Sequence, residues 1–255
     1  MKLLPGMEEW HPMSAEMAEE DVVTFAHEFQ SLLFGITFNV PSYTSWVLAN
    51  AHRRPLFAWH RRLLQFLQAR SRDDDGGAAP AEEAAPRWLL KTPMHLLLLD
   101  EIAREYPDAT IVQTHRAPAA VIGSLSSVVA RMYGAASDQI GLHTIGQQQQ
   151  ALAAEALRRG MESRARWTGR PPIDVQLDVL KRDPMGAVER VYEQLGTPLT
   201  AEARAAMERW LAQRTVRHGA HAFALRDFGL SEEGVMADPV FRRYCETYMG
   251  APSCE

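Results

Sequence analysis

The chain has 255 residues, 46% of them apolar, and its 27 basic and 32 acidic side chains give a formal net charge of −5. That is apolar material enough for one well-filled core, and the acidic balance excludes a general nucleic-acid binder. No apolar run reaches the roughly 20 residues that span a bilayer, and the opening MKLLPGMEEWHPM lacks the apolar core of a secretion signal. A soluble, cytoplasmic protein is expected, its Cys245 and Cys254 free thiols without metal-like spacing.

Residues 1–13 read as irregular, broken by Pro5, Gly6 and Pro12. A helix capped by Ser14 is expected to run to about Gly35. Its first turns carry Glu16, Glu19, Glu20 and Asp21, which suit the helix dipole, and Val22, Val23, Phe25, Ala26, Phe29, Leu32 and Leu33 follow at helical spacing. Asn39–Ser42 reads as a turn and Tyr43–Asn50 as a short helix. Pro55 opens another helix, with Phe57, Leu63, Leu64, Phe66 and Leu67 on its apolar side. The run at 70–86, RSRDDDGGAAPAEEAAP, is polar and rich in breakers and predicts a mobile surface loop within one domain.

From Arg87 to Gly134 the pattern changes. Trp88–Leu89–Leu90 is a short apolar run ending at Lys91–Thr92–Pro93, and Thr110–Ile111–Val112 continues to His115–Arg116–Ala117–Pro118. Each run leads into a helical pattern: the first from Pro93, burying Leu96, Leu97, Leu99, Ile102 and Ala103; the second from Pro118, burying Val121, Ile122, Leu125, Val128 and Val129. Short apolar runs alternating with helices predict βαβ units in an α/β fold with a parallel sheet. A long helix over Gln147–Trp167 follows, and Ile173–Leu177 alternates like a further strand. Helices are expected after Asp183–Pro184, stopping at Gly196, after a Thr200 cap, and over Pro239–Tyr248.

Ligands of such sheets bind beyond the carboxyl ends of the strands, which directs attention to Lys91, His95 and Arg116. A lysine at a strand end can neutralise a leaving anion, and a neutral histidine can take a proton from a hydroxyl. Equally, Lys91 can snorkel and His95 can bond a carbonyl. Arg116 stands at a helix N-terminus, an anion-attracting position, with Ser124 ~9 Å along the same flank. Spacing alone favours the plainer reading of a loop arginine and a backbone-bonded serine. In Arg217–His218–Gly219–Ala220–His221 two histidines lack a third zinc ligand, and a cationic loop folding over a phosphate fits better. His115 reads as a structural hydrogen-bonding group. No G-x-x-x-x-G-K-[ST], G-x-G-x-x-G or G-x-S-x-G occurs, so common nucleotidase, dinucleotide-binding and hydrolase readings lose their support.

Taken together, LKTPMHL, YPDATIVQTHRAP and Ser124 eight residues after Arg116 resemble the bacterial sulfotransferases that use 3′-phosphoadenosine 5′-phosphosulfate (PAPS). Asp183–Pro184–Met185, Arg217–His218–Gly219, Asp227–Phe228–Gly229–Leu230, HPM at 11–13 and VPSY at 40–43 extend the resemblance over nearly the whole chain. It implies the P-loop-containing nucleoside triphosphate hydrolase-like sulfotransferase fold in an N-terminally truncated form. The family's opening strand and 5′-phosphosulfate loop, roughly P-R-S/T-G-T-T, has no counterpart in the sequence. It implies one domain over 1–255, with a helical insertion at 14–69, the loop at 70–86 and a cofactor-binding core at 87–134. It further implies that Arg116 and Ser124 grip the 3′-phosphate of PAPS and that Arg217, His218 and Gly219 close over it. Lys91 and His95 would lie by the transferring sulfuryl group, with Glu20 a second candidate base and no metal involved. The acceptor would be a small molecule, an apolar or aromatic alcohol if Phe25, Phe38, Tyr43 and Trp46 line its pocket, although core packing explains those aromatics equally well. Residue 117 is Ala where the family has Asp or Asn, and Leu177 and Val179 replace a Tyr and an Asp. Two functions are compatible with this pattern: sulfuryl transfer to a hydroxyl or amine, or a non-catalytic remnant that binds adenosine 3′,5′-bisphosphate or a protein partner.

Overall fold

The computed structural model describes residues 17–50, 56–74, 87–214 and 223–250. The Ser14 cap, the larger part of the 70–86 loop, and Arg217, His218 and Gly219 lie outside the described residues.

The continuous helix expected up to Gly35 is instead broken into α1 (Val22–Phe25), a 3-10 turn at Ala26–Glu28 and α2 (Leu33–Thr37). Phe29 closes the turn in the left-handed region, at φ 51°. A buried polar side chain explains the break. Ser31 Oγ donates to the Val22 carbonyl at 2.8 Å, and Gln30 and Ser31 are both buried, so this backbone bonds across the turn rather than along a helix. A left-handed phenylalanine costs about 1–2 kcal/mol, offset by the burial of Phe25 and Leu32 on either side. Helix α3 (Pro41–Asn50) and helix α4 (Leu56–Asp74) follow, the latter running past Arg70 into the stretch expected to be loop.

The run Trp88–Leu89–Leu90 is not a strand. Residues 87–92 form no regular element, no described strand pairs with them, and Leu89 is 95% exposed. An apolar run becomes a strand only when a neighbour supplies its backbone hydrogen bonds, which local sequence does not specify. Next, Thr92 Oγ1 accepts from the Met94 N–H and caps a 3-10 turn at Pro93–Leu97. The chain bends at Leu98 and continues as α5 (Leu99–Glu105). Leu97, Leu98, Leu99 and Ile102 join Phe25, Leu32, Val47, Leu56 and Phe57 in one cluster, so the N-terminal helices and this turn share a core.

The sheet among the described residues has two strands, β1 (Val112–His115) and β2 (Ile173–Gln176), paired in parallel with His115 opposite Gln176. Between them run α6 (Pro118–Gly134) and α7 (Leu142–Ala165), the crossover that a parallel pair requires. Within α6, Ile122 and Val129 are buried as expected, but Val121 is exposed and Leu125 and Val128 only half-buried. Helix α7 is the hub. A side chain at Gly160 would meet Leu96 Cδ1 at 2.3 Å, and one at Gly146 would meet the Phe228 carbonyl at 2.3 Å, so these glycines let two turns lie directly on the helix.

The rest is helical: α8 (Leu177–Arg182), α9 (Pro184–Leu195), α10 (Ala201–Arg214), a 3-10 turn at Leu225–Phe228, α11 (Glu232–Met236) and α12 (Pro239–Tyr248). Local signals set these boundaries. Asp183, Thr200 and Asp238 each accept a backbone N–H at a helix start, and Gly196 ends α9 at φ 63°. No helix among the described residues is long and apolar enough to cross a membrane.

Candidate active site

Residues far apart in sequence meet at the start of α1. Lys91, 69% exposed on the irregular segment before the Pro93–Leu97 turn, bonds through Nζ to Glu20 Oε1, and the Asp21 N–H donates to the Lys91 carbonyl at 3.2 Å. One turn on, His95 Nε2 lies 2.9 Å from Asp21 Oδ2. Lys91 and His95 therefore share one locality, and Glu20 belongs to it as well. Asp21 occupies the N-cap position of α1 but does not cap it, because its carboxylate is turned inward to the histidines.

Behind His95 lies His60, fully buried on α4, with Nε2 3.4 Å from Asp21 Oδ2 and Nδ1 2.7 Å from Tyr106 Oη. Phe25 and Phe57 pack on both imidazoles, at ring-centre separations of 5.1–6.2 Å. Burial by itself pushes the Asp21 carboxyl up, but hydrogen bonds and positive potential from His60 and His95 outweigh it and hold the group far below the ordinary carboxylate range. Burial pushes the Tyr106 phenol well above its ordinary value. Asp21 and His60 were not singled out in the sequence. One signal was available: Leu56, Phe57, His60 and Leu64 lie on one helical face, which puts His60 among buried neighbours.

This cluster and a second one have a consequence for acid stability. Asp174 is also held below its ordinary value: burial pushes it up, and bonds from Arg164 and His115 more than compensate. A carboxyl with a depressed folded value stabilises the fold above its unfolded value and loses that contribution as pH falls. Stability is thus expected to be flat from neutrality down to about pH 5 as far as these groups act, then to fall through about pH 4 and below. Urea midpoints measured across that range check it. A smaller acid loss is expected for Asp21→Asn, and an unchanged slope would contradict the assignment.

The second cluster anchors the end of β1. His115 is buried, with Nδ1 2.9 Å from Tyr244 Oη and Nε2 2.7 Å from Asp174 Oδ1, so its structural reading holds. Arg164 grips Asp174 in a two-pronged pair at 2.6 and 2.8 Å and lies 4.7 Å over the Tyr248 ring. Tyr244 also takes a backbone hydrogen bond at Arg116. Arg116 is therefore fixed through its main chain, at the point where β1 turns into α6.

The Arg116 side chain is half-buried and, among the described residues, makes no ion pair or hydrogen bond; the same is true of the half-buried Ser124 hydroxyl. Pro118 opens α6, and Ala117 at the cap offers no side-chain acceptor, so the first N–H groups have no capping partner. Small residues Ala117, Ala119 and Ala120 line this helix start. An unpaired guanidinium, free N–H groups and a hydroxyl on one helix flank suit a phosphate. Among the described residues, no group of three or more ligating side chains converges as metal ligands would.

Of the four aromatics considered for an acceptor pocket, Phe25 is fully buried and belongs to the core. Phe38 and Trp46 are exposed, and the Tyr43 hydroxyl is tied to the Phe29 and Ser31 carbonyls. The structure adds Phe29, 70% exposed and stacked on Phe34 at 5.8 Å.

Helices packed around a parallel pair, with a basic strand end opening onto a helix, define an α/β protein, and the solved structures it resembles carry the P-loop-like sulfotransferase fold. A sulfotransferase from Mycobacterium avium superposes with a TM-score of 0.80 at 24% identity, covering 93% of this chain and 58% of its own. A sulfotransferase from Mycobacterium tuberculosis superposes with a TM-score of 0.72 at 30% identity, covering 89% of this chain and 56% of its own. The chain thus spans little more than half the length of these proteins. The sulfotransferase family model matches residues 2–201, and the chain belongs to that family. No curated protein matches it in sequence.

Proposed function

We propose that the protein transfers a sulfuryl group from PAPS to a hydroxyl or amine of a small-molecule acceptor. The observation that carries this reading is the meeting of Glu20, Asp21, Lys91 and His95 in a chain whose β1–α6 junction also holds Arg116 and Ser124, side chains without other partners among the described residues. Arg116, Ser124 and the start of α6 suit the 3′-phosphate, with Arg217, His218 and Gly219 as further candidates. Bound PAPS supplies the sulfuryl group by in-line displacement: the acceptor oxygen bonds sulfur while the bond from sulfur to the 5′-phosphate oxygen breaks, its electron pair leaving on adenosine 3′,5′-bisphosphate.

This chain's residues position and polarise. His95 accepts the acceptor's proton, and Lys91 supplies positive charge where negative charge gathers on the departing phosphate. The Glu20 carboxylate holds Lys91 in place until that charge develops, and is the alternative base. The exposed aromatics Phe29, Phe38 and Trp46, with the half-buried Phe34 stacked on Phe29, favour an apolar or aromatic alcohol as acceptor.

Titration calorimetry with adenosine 3′,5′-bisphosphate, alongside a sulfuryl-transfer assay with PAPS and aromatic alcohols, tests the proposal. Arg116→Ala combined with Ser124→Ala is expected to weaken nucleotide binding roughly 10- to 100-fold, the worth of one charge-assisted bond or slightly more. Binding that survives the double change removes the phosphate assignment. Nucleotide binding without turnover would favour a non-catalytic binding protein.

A further inference from the structure

The buried group behind His95 is more elaborate than a fold contact requires. We propose that Asp21 is a positioning residue for His95: its carboxylate holds the imidazole with hydrogen on Nε2, leaving the Nδ1 lone pair to take the acceptor's proton, while His60 and Tyr106 brace that carboxylate from behind. This inference rests on the sulfuryl-transfer reading for the use to which Nδ1 is put, but not for the arrangement of the hydrogens.

The arrangement follows from donor and acceptor chemistry. An ionised carboxylate only accepts, so each ring nitrogen facing Asp21 Oδ2 must carry a hydrogen or oppose lone pair to lone pair. His95 Nε2 at 2.9 Å therefore carries a hydrogen. His60 reaches the same oxygen with Nε2, at 3.4 Å. Its Nδ1 lies 2.7 Å from a phenol that burial keeps protonated, so Tyr106 donates to Nδ1 and the His60 hydrogen belongs on Nε2. Tyr106 thus donates to His60, and both imidazoles turn Nε2 towards Asp21 Oδ2, His95 at hydrogen-bond distance and His60 at the longer 3.4 Å.

Burial makes that direction count. His60 is 0% exposed and the Asp21 side chain 7%, and Phe25 and Phe57 wall both imidazoles, so few competing waters reach the bonds. His95, at 20%, opens towards solvent, where an acceptor would stand, at the opposite end of the group from the half-buried Tyr106. When Nδ1 takes the proton from the acceptor hydroxyl, the electron pair of the broken O–H bond stays on the attacking oxygen. The ring becomes an imidazolium, and Asp21 stabilises it through Nε2–H. A carboxylate behind a catalytic imidazole does the same work in the Ser-His-Asp template. Here a second imidazole, that of His60, lies 3.4 Å from the same carboxylate oxygen.

Long-range proton–nitrogen spectra of the full-length, nitrogen-labelled protein near neutral pH provide the test, with ring signals assigned through His95→Gln and His60→Gln. His95 is expected to show a protonated Nε2 and an unprotonated Nδ1. Asp21→Asn is expected to move His95 towards the Nδ1–H form and to lower kcat on the order of 100-fold with KM within about twofold. Tyr106→Phe, which deletes one hydroxyl, is expected to release His60 into a mixture of tautomers. A native His95 carrying its hydrogen on Nδ1 overturns the inference, as does a His95 signal unchanged by Asp21→Asn. Should that variant not fold, the native spectrum and Tyr106→Phe decide. Expected tautomers in a protein without sulfuryl transfer uphold the hydrogen arrangement and reject the transfer reading.

Discussion

Replacing His95 with Ala is expected to lower sulfuryl transfer by roughly 10²- to 10⁴-fold, the usual worth of a positioned general base. Adenosine 3′,5′-bisphosphate binding should stay unchanged, because the phosphate assignment rests on β1 and α6 and not on the Asp21 cluster. The geometry sets this separation. His95 lies on the 3-10 turn after Lys91 and is held by Asp21, whereas Arg116 is held through the His115–Tyr244 group. Initial rates and calorimetry on one preparation check both halves. Full turnover by His95→Ala would pass the role of base to Glu20, whose carboxylate already bonds Lys91 in the same locality. Loss of nucleotide binding would mean that the two localities are one.

The second large effect is expected at Asp174, which joins His115 of β1 to Arg164 of α7. In Asp174→Ala the Arg164 guanidinium, 11% exposed, keeps Gln113 and the Tyr248 ring face but loses its counter-charge, and the fully buried His115 loses a hydrogen-bond partner. Breaking a fully buried pair costs about 3–5 kcal/mol. Asp174 is 38% exposed and partly screened, so about 2–3 kcal/mol is expected. In a chain of this size that is a fall in Tm of roughly 5–10 °C. Weaker adenosine 3′,5′-bisphosphate binding should accompany it, since Arg116 follows His115 directly. A Tm within about 1 °C of the parent would show that the cluster does not hold the end of β1.

Much of this was legible in the sequence, but unevenly. Arg116 before Pro118, with Ser124 further along the helix, could be read because a helix N-terminus and its flank are fixed by residues within two turns. The strands beginning near Thr110 and Ile173 were legible as short runs, but their parallel pairing with each other was not. Trp88–Leu90 carries the same apolar signal, yet among the described residues it finds no partner. The helix expected through Phe29 failed for a related reason. Its apolar spacing is correct, but the buried Ser31 hydroxyl bonds back to the Val22 carbonyl and Phe29 takes a left-handed backbone. Asp21 read as a dipole-favouring surface acid, and only the approach of α4 and the Pro93–Leu97 turn makes it a buried carboxylate between two imidazoles.

The sequence by itself determined the helix starts at Pro118, Asp183, Thr200 and Pro239, the stop at Gly196 and the family motifs around Lys91, His95 and Arg116. Each depends on groups a few residues apart, where capping and main-chain geometry act. Tertiary structure alone decided which runs pair, which aromatics stay exposed, and which histidine nitrogen faces a carboxylate. Those outcomes require segments as distant as Asp21, His60, His95 and Tyr106 to meet, and a side chain's hydrogen-bonding role is set by its neighbours in space.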